Sequence, residues 1–114
     1  MKDTIAAIST AYGEGGIGIV RISGEDALKV LNTIFVPKTK IMERKMTYGH
    51  ICDPVSKETV DEVLAVYMKA PHTYTTEDVV EINCHGSMVS LGKTLSLCYD
   101  ALTQIGRASC RERV

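Results

Sequence analysis

The chain has 114 residues, of which 45% are hydrophobic and 24% are charged, and its formal net charge is −1. These values are typical of one soluble globular domain, and the near-neutral charge argues against a strongly basic surface for nucleic acid. No apolar run approaches the roughly 20 residues that cross a bilayer, so we expect no membrane segment. The four cysteines form no CxxC pair and are predicted to be reduced thiols, which favours a cytoplasmic protein.

The first third of the chain predicts two strands and a helix. Thr4 to Thr10 is a short apolar run, and Ile17 to Ile22 is rich in β-branched residues, so both are predicted strands around a glycine-rich loop. Ser23 is predicted to cap the helix that follows. In this helix, apolar residues recur at i, i+3, i+4 and i+7 and therefore lie on one face, namely Ala27, Val30, Leu31 and Ile34.

The remaining chain predicts three further strands and a second helix. The strands are expected at 48–52, 60–68 and 79–84, with a turn at Asp53-Pro54 between the first two. The last helix has an apolar face formed by Met88, Leu91, Leu95, Cys98 and Leu102. Because helices are few and the strands follow one another in hairpins, we predict an α+β fold with a mixed β-sheet and two main helices.

The glycine-rich segment matches a nucleotide-binding fingerprint in its letters but not in its context. Gly13, Gly15 and Gly18 have the spacing of GxGxxG, which requires a helix that begins within the motif. Here the third glycine leads into the predicted strand Ile19–Ile22, and no acidic residue follows about 20 residues later. We therefore interpret the segment as a loop between two strands.

Two other patterns are interpreted as chance matches. Gly92-Lys93-Thr94 resembles the end of a phosphate-binding loop, but Ser87 stands where that motif needs glycine, and the tripeptide lies within the last predicted helix. The spacing of His50, Cys52, Cys84 and His85 matches no zinc motif, so we predict no metal site. No Ser/His/Asp arrangement or catalytic nucleophile is indicated.

Two charged residues within apolar strands are the candidates for ligand binding. Arg21 is either a solvated strand residue or a clamp for an anion, since guanidinium binds carboxylate in a bidentate manner. Glu81 is predicted to share a strand face with Val79 and Asn83, opposite Val80. It is either a solvent-facing carboxylate or an acceptor for N–H groups of a bound heterocycle.

Three ordered blocks of sequence resemble the N-terminal domain of the tRNA modification GTPase MnmE (TrmE) family. The blocks are DTIAAIST with GEGGIGIVRISG, then YGHICD with DEVLAVYMKAP, then YTTEDVVEINCHG. Three ordered blocks are harder to match by chance than one glycine motif. The resemblance covers roughly residues 3 to 104, and we assign residues 1–104 to this domain. One departure is Ala11-Tyr12, where the family often has prolines.

The resemblance implies a folate-binding and dimerisation domain. It places Arg21, in RISG, and Glu81, in EDVVEI, at positions that bind formyl-tetrahydrofolate or a related one-carbon folate, and it implies a homodimer. The alternative is a purely structural dimerisation module without a complete folate site. The complete family protein is a GTPase (hydrolase) that works with an MnmG-like flavoprotein on the wobble uridine of tRNA. We expect this sequence to lack the parts of the family protein that bind GTP and potassium and the part that carries the catalytic C-terminal cysteine. No catalytic residue is therefore predicted here.

The last ten residues, 105–114, are predicted to be a non-family tail. IGRASCRERV abandons the apolar periodicity and contains Arg107, Arg111 and Arg113. One interpretation is a basic tail that contacts RNA. We favour the hypothesis of a sequencing artefact, because the codons ATC GGA AGA GCG TCG TGT AGG GAA AGA GTG resemble adapter DNA joined to a truncated gene. Inspection of the source nucleotide sequence distinguishes the two.

Overall fold

The structure, a computed structural model, describes residues 3–10, 18–71 and 76–105. The elements in chain order are β1 (Ile5–Thr10), β2 (Gly18–Ser23), α1 (Ala27–Ile34), β3 (Phe35–Pro37), β4 (Thr47–Cys52), β5 (Thr59–Met68), β6 (Val79–Cys84) and α2 (Met88–Ile105). The predicted α+β class with two main helices is confirmed. Most of the glycine-rich loop and the tail after Ile105 lie outside the described residues, and the boundary at 104 stays a prediction.

The six strands form one sheet in the order β1-β2-β6-β5-β4-β3. All five neighbouring pairs of strands are antiparallel. The whole sheet is therefore antiparallel, whereas the sequence predicted a mixed sheet. The reason is the place of β6, which enters between β2 and β5. Those two strands run in the same direction, and β6 is antiparallel to both. The last strand in the sequence is therefore a central strand of the sheet.

Both helices pack on one face of the sheet. The predicted apolar face of α1 is confirmed, since its buried residues are Ala27, Val30, Leu31 and Ile34. Strand residues that face the helices are fully buried, among them Val20, Ile22 and Ile82. The opposite face, which we call the open face, is not covered by either described helix. Its strand positions include Arg21, Ser23, Tyr48, His50, Glu62, Leu64, Val66, Glu81 and Asn83.

Three details of the helices and their flanks differ from the sequence prediction. Ser23 does not cap α1, because it remains in β2 and its hydroxyl donates to Oε1 of Glu77 at 2.9 Å; the N-cap residue is Asp26. Met88 belongs to α2 but is 59% exposed, whereas Leu91 is buried. The short strand β3 was not predicted, since three residues that end in a proline show no alternation long enough to detect.

The connection between β2 and α1 is a tight corner. Gly24 has φ of 138°, and a Cβ atom added to it would lie 2.5 Å from Cα of Thr4. The backbone N–H of Gly24 donates to the carbonyl of Asp78 at 2.8 Å, and that of Asp26 donates to Oγ1 of Thr4 at 3.0 Å. The corner thus ties the end of β2 to the residues that border β1 and β6. It helps to fix the register of β2 against both neighbours.

Of the helices in the described ranges, none combines the length and the apolar character that crossing a bilayer requires.

Candidate functional site

Arg21 and Glu81 meet at the centre of the open face. They are direct cross-strand partners on β2 and β6. The Nε and Nη2 atoms of Arg21 donate to Oε2 of Glu81 at 3.0 and 2.5 Å. The Arg21 side chain is 40% exposed and the Glu81 side chain is 21% exposed. The two residues, singled out separately in the sequence, therefore form one ion pair that solvent can reach.

The alternation of the two strands places this pair on the open face. In β6, Val80, Ile82 and Cys84 are buried against the helices, so Glu81 and Asn83 face the other way, as predicted. In β2, Val20 and Ile22 are likewise buried and Arg21 lies between them. A shift of either strand by one residue would bury a charge in the core. The hydrophobic pattern therefore also determines where the ion pair forms.

One oxygen of Glu81 is left for a ligand. The two hydrogen bonds that Arg21 donates to Glu81 both end on Oε2, and no residue of the described ranges donates a hydrogen bond to Oε1. A carboxylate oxygen accepts hydrogen bonds from N–H groups, and a neighbouring guanidinium orients the carboxylate. This arrangement can recognise the N–H edge of a heterocycle. It offers no nucleophile for covalent chemistry.

Asn83 is the next residue of β6 on the open face. Its Nδ2 atom donates to the backbone carbonyl of Leu64 at 3.1 Å, and its side chain is half-buried. Leu64 and Val66 on β5 lie directly opposite Asn83 and Glu81. The polar groups of β6 are thus bordered by apolar side chains, which is typical of small-molecule sites. Sequence reasoning placed Asn83 on this face but did not select it as a site residue.

A second group of titratable side chains lies on β4 and β5. Nε2 of His50 is 3.7 Å from Oε2 of Glu62, and the rings of His50 and Tyr48 pack edge to face with centroids 5.7 Å apart. Desolvation, and then the neighbouring Glu62 carboxylate, raises the pKa of the Tyr48 hydroxyl. A hollow of about 220 Å³ is lined by Tyr48, Glu62, Val63, Leu64 and His85.

The buried cysteines are unsuited to nucleophilic chemistry. Burial raises the pKa of the Cys84 thiol to about 11, and it raises the pKa of the Cys98 thiol as well. A thiol is reactive as the thiolate, so both groups are inert near neutral pH. Within the described ranges, no group of three His, Cys, Asp or Glu side chains could hold a metal ion.

The phosphate-loop resemblance at Gly92-Lys93-Thr94 is a chance match, as predicted. All three residues lie inside α2, and Oγ1 of Thr94 donates to the carbonyl of Ser90 at 2.8 Å. A phosphate-binding loop requires its glycine-rich backbone ahead of the helix. For the glycine-rich segment, Gly18 opens strand β2 rather than a helix, in agreement with the interpretation above. Its other glycines lie outside the described residues.

Comparison with known proteins identifies the family. The model described as "GTP-binding protein TrmE N-terminus" matches residues 4–111. The chain belongs to this family. The tRNA modification GTPase MnmE of Alkaliphilus metalliredigens is 58% identical to it over 102 residues. Proteins with the same description are 52% identical over 102 residues in Carboxydothermus hydrogenoformans and 57% identical over 100 residues in Finegoldia magna.

Each of these three matches covers 85% of this chain and 22% of the relative. The chain therefore spans about a fifth of the length of the curated relatives it matches. The resemblance found in the sequence blocks is confirmed at the level of the family and of its N-terminal domain. The ligand-binding roles of Arg21 and Glu81 stay predictions.

Proposed function

We propose that this chain is the folate-binding and dimer-forming N-terminal domain of a tRNA modification GTPase. The observation that carries the proposal is the ion pair between Arg21 and Glu81. These are the two positions that the family resemblance assigns to folate, they are 60 residues apart in sequence, and they share one hydrogen-bonded site on the open face. Membership of the TrmE N-terminal family supports the same function.

The residues present fit a one-carbon folate such as formyl-tetrahydrofolate. Its pterin ring carries an amino group and ring N–H groups, which donate hydrogen bonds to a carboxylate oxygen. Oε1 of Glu81 is available to accept such a hydrogen bond. The two hydrogen bonds from Arg21 orient the Glu81 carboxylate. When bound, the folate supplies the one-carbon unit, while the protein binds and orients it.

The open face also supports the homodimer. Tyr48 on β4 is 38% exposed, Val36 on β3 is 56% exposed and Ile5 on β1 is 50% exposed. All three lie on the open face together with the half-buried Leu64 and Val66. A second copy of the chain would cover this apolar surface, just as the helices cover the other face of the sheet.

In the complete protein, this domain would serve a GTPase that acts on the wobble uridine of tRNA in the cytoplasm. The relatives are described as tRNA modification GTPases. A dimer would bring two bound folates to an MnmG-like flavoprotein partner. GTP and potassium would bind to the rest of the protein, since the described residues contain no phosphate-binding loop.

Isothermal titration calorimetry of the chain with 5-formyl-tetrahydrofolate tests the proposal. We expect saturable binding that Arg21→Ala and Glu81→Ala each weaken at least about tenfold, because each removes a charge-assisted hydrogen bond. Arg44→Ala is the matched control. Arg44 is 41% exposed, close to the value for Arg21, and Nε of Arg44 lies 3.5 Å from Oε2 of Glu43, away from the site.

Binding that Arg44→Ala weakens as much as Arg21→Ala does would contradict a site at the Arg21–Glu81 pair. A folded dimer without detectable binding would instead support the structural dimerisation module. Size-exclusion chromatography and circular dichroism of the same samples establish whether each variant is folded and dimeric.

A further inference from the structure

Asn83 presents a second hydrogen-bond acceptor beside Glu81. It is two residues further along β6 on the same face, which corresponds to a separation of about 7 Å between the two Cα atoms. Its Nδ2 atom is anchored to the carbonyl of Leu64 at 3.1 Å. In the part of the chain that the structure describes, no group donates a hydrogen bond to Oδ1. Asn83 therefore holds this oxygen ready for a ligand.

The anchor also determines which end of the amide is presented. The carbonyl of Leu64 only accepts hydrogen bonds, so it requires the NH₂ end of Asn83. If the amide were rotated by half a turn, Oδ1 would face another acceptor and lose the hydrogen bond. The cross-strand neighbours of Asn83 are Ile19 and Leu64, which reduce competition from water. The open face thus has two fixed acceptors, Oε1 of Glu81 and Oδ1 of Asn83.

We infer that Asn83 is a specificity-determining residue of the Arg21–Glu81 site, and that it selects reduced pterins over oxidised ones by accepting a hydrogen bond from the ring N8–H. The inference rests on the proposed folate-binding function and deepens it.

The chemistry of the pterin ring carries the argument. In a tetrahydropterin, the 2-amino group and N8–H lie on the same edge, and both are donors. They match the two acceptors of Glu81 and Asn83. In an oxidised pterin, N8 has no hydrogen and is itself an acceptor, so it would face the lone pairs of Oδ1. A site built to bind an N–H group rejects an analogue that lacks it, because a polar atom is then left unpaired.

The test compares two ligands on the complete chain, 5-formyl-tetrahydrofolate and folic acid, by calorimetric titration. We expect the wild type to bind the reduced ligand at least about tenfold more tightly, since the lost partner leaves Oδ1 unpaired. We expect Asn83→Leu to reduce this preference about tenfold, mainly by weakening the binding of the reduced ligand, because leucine has a similar volume but no hydrogen-bond acceptor. Other differences between the ligands act on both proteins alike and cancel in the ratio.

Glu62→Gln is the matched control, since Glu62 lies on the same face, on β5, where its carboxylate faces His50 of β4 and the cross-strand partner of Asn83 is Leu64. It should leave the preference unchanged. The same preference in wild type and Asn83→Leu would overturn the inference while leaving the proposed function intact. A wild-type chain that binds neither ligand would overturn the proposed function, and the inference with it. Thermal melts show whether Asn83→Leu is folded.

Discussion

At the scale of single residues, the Arg21–Glu81 ion pair is suited to binding rather than to stability. The two side chains are 40% and 21% exposed, so solvent screens their attraction. Exposed ion pairs typically contribute about 0–1 kcal/mol to folding. The same exposure makes the pair accessible to a ligand, which would then displace water from both groups. Its energetic value is therefore expected to appear in affinity.

A double-mutant cycle on Arg21→Ala and Glu81→Ala tests whether the ion pair contributes more to ligand affinity than to folding stability. We expect a coupling energy below about 1 kcal/mol in urea unfolding, because the pair is screened. The same variants are expected to lose most of their folate affinity. A coupling of several kcal/mol would contradict this prediction and would indicate that the pair holds β2 to β6.

Alkylation tests the state of the thiols. Cys84 and Cys98 are buried with raised pKa values, whereas Cys52 is half-exposed. At pH 8, we expect iodoacetamide to modify Cys52 first and to leave Cys84 and Cys98 unmodified, since neither is a thiolate or accessible. Mass spectrometry of proteolytic peptides measures each site. We expect the three thiols to be alkylated at equal rates only in denaturant. Equal alkylation rates in the native protein would refute the burial of Cys84 and Cys98.

At the scale of elements, local patterns predicted all the strands except β3 and both helices, and they predicted hairpins between successive strands, but they did not predict that β6 pairs with β2. The spacing in α1 and the alternation in β2 and β6 appear in the sequence because each element buries one face. The neighbours of β6 depend on the whole sheet. The sequence therefore indicated Arg21 and Glu81 as separate candidates, and only the sheet order shows that they touch. The anchor of Asn83 on Leu64 depends on the same order.

Two glycines in different elements should respond to alanine in opposite ways. Gly24 has φ of 138° and no room for a Cβ beside Thr4, so Gly24→Ala is expected to destabilise the chain by at least about 2 kcal/mol. A Cβ on Gly92, in the exposed interior of α2, would meet no atom within 4 Å. Gly92→Ala is expected to stabilise the chain by about 0.5–1 kcal/mol.

Urea unfolding of the two variants beside the wild type measures both changes. A neutral Gly24→Ala would show that the corner between β2 and α1 can relax. A destabilising Gly92→Ala would show that α2 packs against a surface at this position.

At the scale of the whole molecule, the described helices cover the sheet on one side only. The helices bury one face, and the open face combines the candidate site with exposed apolar residues. A ligand and a second copy of the chain would therefore be neighbours on the same surface. Dimerisation and folate binding are expected to reinforce each other, because each would shield the other from water.

A charge on the open face should weaken the proposed dimer. Tyr48→Lys places an ammonium group in the apolar surface, so we expect size-exclusion chromatography with light scattering to show a shift from twice the chain mass towards the monomer. Val55→Lys is the control, since Val55 is 82% exposed in the turn between β4 and β5, away from the open face. A dimer that tolerates Tyr48→Lys but not Val55→Lys would place the interface elsewhere.

The central position of β6 has a consequence for synthesis on the ribosome. Strands β1 to β5 precede it, yet β2 and β5 belong to one sheet only because β6 pairs with both of them. Until residue 84 has emerged, the strands of the nascent chain can pair only as β1–β2 and as β3–β4–β5, and each piece would expose an edge that can join other chains. The Arg21–Glu81 pair forms in the same event, because Glu81 lies on the strand that closes the sheet. A nascent chain thus acquires its sheet and its candidate ligand site together.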